Sequence, residues 1–457
     1  MFTAPNICVH YINNMTKVNP QGLTSQARCG AARRAQPSRR RPAARPTRAH
    51  TAWLLLPALA LPAVAEGFRN PTTGTFGLGR SGGRIAHVDD ASAVQHNPAN
   101  LTDLQAPELA YEQGFVYASV DYTSPQGVTE ETHEPWKFLP AAFAAWPLPD
   151  SRWALGLGVT SPFGLSTELP EDGYFRYLAP HFAELITINV NPSVAWRVHD
   201  NLSLGAGLDV MWSQLSLEQA YPWGLIIGNP AAPDGLLEAK GDGVGVSGNF
   251  GVTWEFVPGH RLAAVCRAPM DVDYSGTFRA SEIPAPLAPL IPAVSDFDST
   301  VAFPTMVQVG YGVRLGDAWR IEADAEWIQF SRFESLPVKT GATLPGVAAS
   351  VPQNWDDTFT AGIAAGWQFH QDWNLRFGYQ YFQSPIPDET YSPTIPDADQ
   401  NVLTVGLSWR RGHHGLAVAY GAVLYDERNI RNNVNPAYNG DYEITVHLIS
   451  ASYRYSF

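Results

Sequence analysis

Charge is scarce in this chain. Only 16% of its 457 residues are Asp, Glu, Lys or Arg, against roughly 25% in ordinary soluble proteins. Long apolar runs are scarcer still. Mean hydropathy is −0.14, and the one extended stretch, Ala52 to Ala65, is interrupted by Pro57 and Pro62. A membrane-spanning helix needs about 20 apolar residues, so a helical bundle is excluded. A β-barrel is not, because its strands alternate and hide their hydrophobicity from any average. Cysteine numbers three: Cys8, Cys29 and Cys266. With no CxxC, HExxH or His/Cys cluster, neither a disulfide framework, a metal site nor a cofactor is expected. Aromatic residues make up 12% of the chain and no short repeat is present, which excludes collagenous, coiled-coil and disordered classes.

What charge there is divides unevenly. Residues 1–65 hold Lys17 and eight arginines from Arg28 to Arg48 and no acid, leaving 21 basic against 43 acidic residues in 66–457. The basic block precedes an apolar core, Trp53 to Leu61, and then Ala63-Val64-Ala65. That order is a secretory signal with cleavage before Glu66, which outweighs a nucleic-acid reading of the arginines. Fifty residues is long for such an n-region and leaves a downstream start codon open. Removal of 1–65 would leave Cys266 alone, a small strand side chain.

From about residue 107 the chain alternates with period two. Leu202, Leu204, Ala206, Leu208, Val210 and Trp212 face one way, and Ser203, Gly205, Gly207, Asp209 and Ser213 the other. Trp319, Ile321, Ala323, Ala325 and Trp327 oppose Arg320, Glu322, Asp324 and Glu326, and a third ribbon runs from Trp373 to Tyr381. Successive strand side chains point to opposite faces, so each is a two-faced strand. Fourteen such segments are counted, with short turns at 149–151, 199–201, 258–260, 316–317 and 370–372. Long connections cover 123–136, 161–182, 220–243, 280–303, 333–356, 384–400 and 429–441. Short periplasmic turns, long outside loops and an even strand number predict an all-β fold, a 14-stranded antiparallel transmembrane β-barrel over 107–457. Closure leaves no strand edge in lipid. The expected location is the outer membrane of a Gram-negative bacterium.

Residues 66–106 do not alternate. They are rich in glycine, and composition by itself reads them as a linker. Their motifs say more. Gly77-Leu78-Gly79-Arg80, Asp89-Asp90-Ala91 and Asn97-Pro98-Ala99 resemble the hatch of the FadL family of outer-membrane long-chain fatty-acid and hydrocarbon transporters. The resemblance continues through Ser161-Pro162-Phe163-Gly164-Leu165, Phe303-Pro304-Thr305-Met306, Trp327-Ile328-Gln329-Phe330-Ser331 and Ser384-Pro385-Ile386-Pro387, and the chain ends on Phe457 as outer-membrane proteins do. It implies that 66–106 form a plug inside the lumen. It also implies that cargo is captured outside, that the hatch segment Asn97-Pro98-Ala99 shifts, and that exit is sideways at a kinked third strand. Gly158, Pro162 and Gly164 are the kink candidates, since Pro lacks an N–H and Gly lacks a side chain to pack.

The third and fourth outside loops are unusually apolar. Trp223, Leu225, Ile226 and Ile227 lie in one, and Leu287, Leu290 and Ile291 in the other. Exposed apolar loops mark binding surfaces, and the family has its capture groove here. A fatty acid also brings a carboxylate, which asks for Arg or Lys. The position matching the family's basic residue, near the end of strand five, is Gln219. Arg176, Lys240, Arg267, Arg279, Lys339 and Arg376 are the substitutes. The departure keeps neutral aromatic or aliphatic hydrocarbons open as an alternative cargo. A general porin would want a polar, open lumen. An outer-membrane lipid hydrolase would need a nucleophile motif, and none of His96, His181, His413 or His414 sits in one. The expected partners are therefore a hydrophobic small molecule and outer-membrane lipid, with no nucleic acid, and the protein is expected to act as a monomer and not as an enzyme.

Overall fold

The computed structural model describes residues 66–457; the segment read as a signal peptide, 1–65, lies outside the described residues. Fourteen strands obey the alternation. They are β1 (Glu108–Thr123), β2 (Trp136–Pro147), β3 in two pieces (Trp153–Thr160 and Gly164–Glu168), β4 (Phe182–His199) and β5 (Leu202–Tyr221). Then come β6 (Gly235–Val257), β7 (His260–Arg267 and Met270–Ala280), β8 (Val294–Phe303 and Met306–Leu315) and β9 (Trp319–Ile328). The series ends with β10 (Thr358–His370), β11 (Trp373–Phe382), β12 (Gln400–Arg411), β13 (His414–Tyr425) and β14 (Gly440–Ser456). Each pairs antiparallel with its neighbour, and β14 closes on β1 from Glu108↔Ser456 to Thr123↔Asp441. The result is a closed antiparallel barrel.

The two faces separate as lipid requires. On β6, Val244, Val246, Phe250 and Trp254 point outward and are exposed, while Asn249 and Thr253 are buried inside. Aromatics collect at the short-turn rim, where Trp153 stacks on Trp196 at 5.4 Å and Trp319 on Trp367 at 5.5 Å. Amphipathic rings of this kind belong at the headgroup level. Cys266 is exposed on this outer face.

Two strands begin earlier than their sequence pattern indicates. β6 starts at Gly235 rather than near 244, because Gly241, Gly243 and Gly245 leave one face of the ribbon without side chains to alternate. β8 starts at Val294 rather than near 304. Its first piece turns Phe297, Val301 and Phe303 inward and Asp296 and Asp298 outward, the reverse of a lipid-facing strand, so it rises into water. Prolines interrupt β7 at Pro269 and β8 at Pro304 at the same level of the wall, where Met270 pairs with Phe303 and Met306 with Arg267.

Residues from Glu66 to Leu104 run inside the lumen, with short helices α1 (Gly74–Gly79) and α2 (Ala93–His96) and a 3-10 turn, Pro98–Asp103. This segment is a hatch and not a linker. Its charge complement is the inward face of β9, where a spacing of two aims Glu322, Asp324 and Glu326 into the lumen. Glu322 accepts three consecutive backbone N–H groups, from Ile85 (2.6 Å), Ala86 (2.5 Å) and His87 (3.2 Å), and pairs with Arg80 at 3.0 Å. Asp324 accepts from the Arg84 N–H at 2.7 Å, and Glu326 pairs with Arg69 at 3.0 Å.

Candidate functional site

The interior is divided by the first residues of the hatch. Phe68 is buried in an aromatic cage made by Phe163, Phe303, Phe330, Phe333 and Trp355, with ring centroids 5.0–6.0 Å away. The cage is held together at the backbone. Gly67 N–H donates to Asp397 at 3.1 Å, Asn70 N–H to the Pro162 carbonyl at 3.1 Å, and Gly164 N–H to the Phe68 carbonyl at 2.7 Å. Burial raises the carboxyls of Glu66 and Asp397 to about 7 each. Glu66 is bonded by Thr358 and Arg69, both at 3.0 Å.

Below the cage lies a narrow apolar cavity, walled by Leu78, Phe382, Val402, Val423, Val446 and Leu448, with Glu66 and Arg69 at its edge. A second narrow cavity shares Pro71, Thr72, Leu78 and Leu448 with the first and reaches Leu139, Pro140 and Ser161. Hatch residues 71–74, with Leu78 behind them, stand between the two.

That second cavity ends at a break in the wall. β2 pairs with β3 from Ala142↔Val159 to Pro147↔Ala154 and no further, although β2 itself extends back to Trp136. Past Thr160 the chain leaves β2 at Ser161-Pro162-Phe163. The second piece of β3 pairs with β4 alone, from Gly164↔Ile186 to Glu168↔Phe182. Leu139 and Pro140 therefore border a gap. Arg69 and Phe163 form an isolated bridge there, so the hatch covers the break from inside.

The residues singled out from the sequence fall in distinct places. Pro162 and Gly164 flank the break. Gly158 does not: it is paired on both sides, with Phe143 and Asn191, and a Cβ there would sit 3.0 Å from Val94 of α2. Its missing side chain seats the hatch and bends nothing. Asn97, Pro98 and Ala99 pack on β5 and β6. Asn97 Nδ2 donates to Thr253 Oγ1 and to the Ile85 carbonyl, both at 2.9 Å, and Asn97 Oδ1 accepts from Ala99 N–H at 3.0 Å. The hatch backbone lies so close that a Cβ on Gly205 would come within 2.3 Å of Ala99 N, and one on Gly251 within 2.2 Å of Asn97 Oδ1.

At the loops, Trp223 opens a short helix, Trp223–Ile227, and is fully buried, its indole N–H on the Ser281 carbonyl at 2.8 Å. It fastens the third loop to the fourth and has no surface to offer. Ile291 is also buried, and Ile227 and Leu287 are half-buried. Leu225 (71% exposed), Ile226 and Leu290 (77% exposed) remain as apolar surface.

The six basic candidates also divide. Lys240, Arg279 and Lys339 are exposed on the barrel's outer side or its loops, and Arg176 pairs with Asp234 at 2.8 Å in the outer loops. Arg267 faces the lumen and is paired with Asp209. Arg376 is buried near the short-turn end. Gln219 donates to the Tyr177 carbonyl at 3.1 Å. Arg267 lines a polar cavity of about 70 Å³ together with two arginines not singled out from the sequence, Arg69 and Arg84. His96 borders it too, held down to about 3 by burial and by Arg84 and Arg267. The β9 carboxylates stand out in the sequence as an acidic face, but nothing in the sequence matches them to particular hatch residues. Among the described residues no cluster of His, Cys, Asp and Glu could hold a metal.

Comparison with known proteins agrees with this architecture. The model of a family described as "Outer membrane protein transport protein (OMPP1/FadL/TodX)" matches residues 56–457. The "Long-chain fatty acid transport protein" of Escherichia coli O6:H1 is 25% identical over 379 residues, covering 76% of this chain and 83% of that protein. The "47 kDa outer membrane protein" of Pasteurella multocida is 25% identical over 429 residues, covering 89% and 98%. Among solved structures, a Pseudomonas aeruginosa FadL homologue superposes with a TM-score of 0.75 at 20% identity, covering 86% of this chain and all of that one. The Pseudomonas putida toluene transporter TodX gives 0.65 at 17%, covering 86% and 99%. With the match spanning the whole barrel and hatch, this outer-membrane chain belongs to the OMPP1/FadL/TodX family of outer membrane transport proteins.

Proposed function

We propose that the protein takes up long-chain fatty acids or similar hydrophobic compounds. Cargo is captured on Leu225, Ile226 and Leu290, passes to the apolar cavity under the Phe68 cage, and leaves sideways between β2 and β3. The observation that carries this reading is the run of two narrow apolar cavities, separated by hatch residues 71–74 and Leu78, that ends at the unpaired edge of β2. Displacing Phe68 and the segment behind it joins the cavities and uncovers the gap. The hatch segment around Asn97-Pro98-Ala99 has to shift as well and give up its wall contacts, and Pro98 holds its backbone to one path until cargo competes for them. Lumen, hatch and gap belong to one chain, so a monomer suffices, and the role is that of a channel and not of an enzyme. Names of the relatives support a hydrophobic cargo, a fatty acid for the Escherichia coli protein and toluene for the Pseudomonas putida one.

One observation favours neutral hydrocarbons as the alternative. Arg69, Arg84 and Arg267, the lumen arginines nearest the cavities, are each already paired with a carboxylate, so a cargo carboxylate would have to displace one. The test is radiolabelled uptake in a transporter-null strain carrying this chain, comparing oleate, a long alkane and toluene. Uptake of oleate alone supports the fatty-acid reading, uptake of alkane or toluene without oleate supports the alternative, and uptake of none overturns both.

A further inference from the structure

At the short-turn end, beneath the hatch and away from the apolar cavities, lies a polar cavity of about 220 Å³. Five arginines line it: Arg80 from the hatch and Arg320, Arg376, Arg410 and Arg454 from the wall, against two carboxylates, Asp89 and Asp372. Most of this charge is spoken for. Arg80 pairs with Glu322 at 3.0 Å, Arg320 with Asp89 at 2.6 Å, and Arg454 with Asp90 at 3.3 Å, while Arg410 donates to the Asp89 carbonyl at 3.3 Å. Arg376 is the exception. It is 6% exposed, forms no ion pair among the described residues, and rests its guanidinium 5.0 Å from the centre of the Phe76 ring. Arg80 approaches the same ring to 5.4 Å, so one aromatic side chain stands against two cations. Asp89 and Asp90 act on it only from a distance and accept no hydrogen bond from it. A buried guanidinium with no acceptor in contact is costly, and the favourable partner is an oxyanion that can accept from its planar N–H fork.

We propose that this cavity is a second ligand site, on the periplasmic side of the hatch, that binds an oxyanion through Arg376 and Arg410. Asn374, Gln368 and Ser408 supply neutral donors around it. Because Phe76, Arg80 and Asp89 belong to the hatch and Arg376 and Arg410 to the wall, an anion held here bridges the two and fastens the hatch from below. The chemistry is shared by two sources that reach the site from the periplasm, free phosphate and the carboxylate head group of an amphipathic cargo after its release.

The test uses the full mature chain in detergent at constant ionic strength, titrated calorimetrically with sodium phosphate and, separately, with sodium decanoate. Saturable binding of at least one probe is expected. Arg376→Gln and the less buried Arg410→Gln should each weaken it by about tenfold or more, the scale of one lost charge-assisted hydrogen bond. Arg152→Gln, at an exposed turn, should leave it unchanged. Heat-modifiable migration checks that each variant is folded. Bound ligand should also slow amide exchange in residues 74–80 and 87–92. Saturation by phosphate assigns the site to a free anion, and saturation by decanoate alone assigns it to the cargo head group. If neither probe saturates, or if both Arg variants bind as the wild type does, the site does not exist.

Discussion

Replacing Glu322 should release the hatch while leaving the barrel intact. Its carboxylate accepts from the N–H groups of Ile85, Ala86 and His87 and from Arg80, all buried. In Glu322→Ala the three N–H groups lose their acceptor, at roughly 1–3 kcal/mol each if they stay buried, and Arg80 loses its partner at roughly 3–5 kcal/mol. The hatch can escape much of this cost by undocking and hydrating those groups, so the full sum will not be seen. A conservative figure is about 3 kcal/mol off the seating of the hatch, equivalent to about 150-fold more of the undocked form. Hydrogen exchange measures it. The informative amides are Asn97 and Asn100, whose acceptors are the Ala93 and Asn97 carbonyls. They never touch Glu322 and speed up only if the whole segment opens. Glu322→Gln, which keeps one acceptor oxygen and loses the charge, should fall between. Exchange at Asn97 and Asn100 within about threefold of wild type, in a folded Glu322→Ala barrel, would refute the claim that this carboxylate seats the hatch.

Further outcomes follow from the same geometry. Changing Leu225, Ile226 and Leu290 together to Ser should raise the dissociation constant of a fluorescent fatty acid more than tenfold, since a fully buried apolar side chain is worth roughly 1.5–3 kcal/mol; an unchanged titration curve would mean these residues do not touch cargo. Trp223→Ser should instead loosen both loops, read as faster proteolysis near Ser281. In a Cys266→Ser background, cysteines at Asn97 and Thr253, whose side chains already meet at 2.9 Å, should form a disulfide that blocks uptake and is relieved by reduction; unimpeded uptake in the oxidised form would free that segment of any part in gating. Mass spectrometry of the mature protein should find Glu66 at the N-terminus, and a start far from it would remove the signal assignment.

Much of this architecture could be read from alternation, because lipid outside and water or hatch inside impose period two on every wall strand. The reading faltered where side chains are missing, as along Gly241, Gly243 and Gly245, and where the strand leaves lipid, as at Val294–Phe303. Interior partners were harder. Trp223 and Leu225 are equally apolar in the sequence, yet one is a fastener and the other a surface, and only the indole bond to Ser281 separates them. Gly158 looked like a hinge because glycine bends strands and also clears space, and the sequence does not say which. Arg69 and Arg84 lay in the segment whose composition suggests a linker, so their carboxylate partners 242 to 257 residues away had no local signal.

The gap between β2 and β3 carries the central claim, and Leu139 gives direct access to it. In a Cys266→Ser background, Leu139→Cys labelled with a bulky maleimide should fill the cavity that it shares with Pro140 and Ser161. Cell-surface binding and net uptake of radiolabelled oleate are then measured on the same cells. Binding at the wild-type level with uptake abolished is the expected result, and wild-type uptake in the fully labelled protein would contradict exit through this gap.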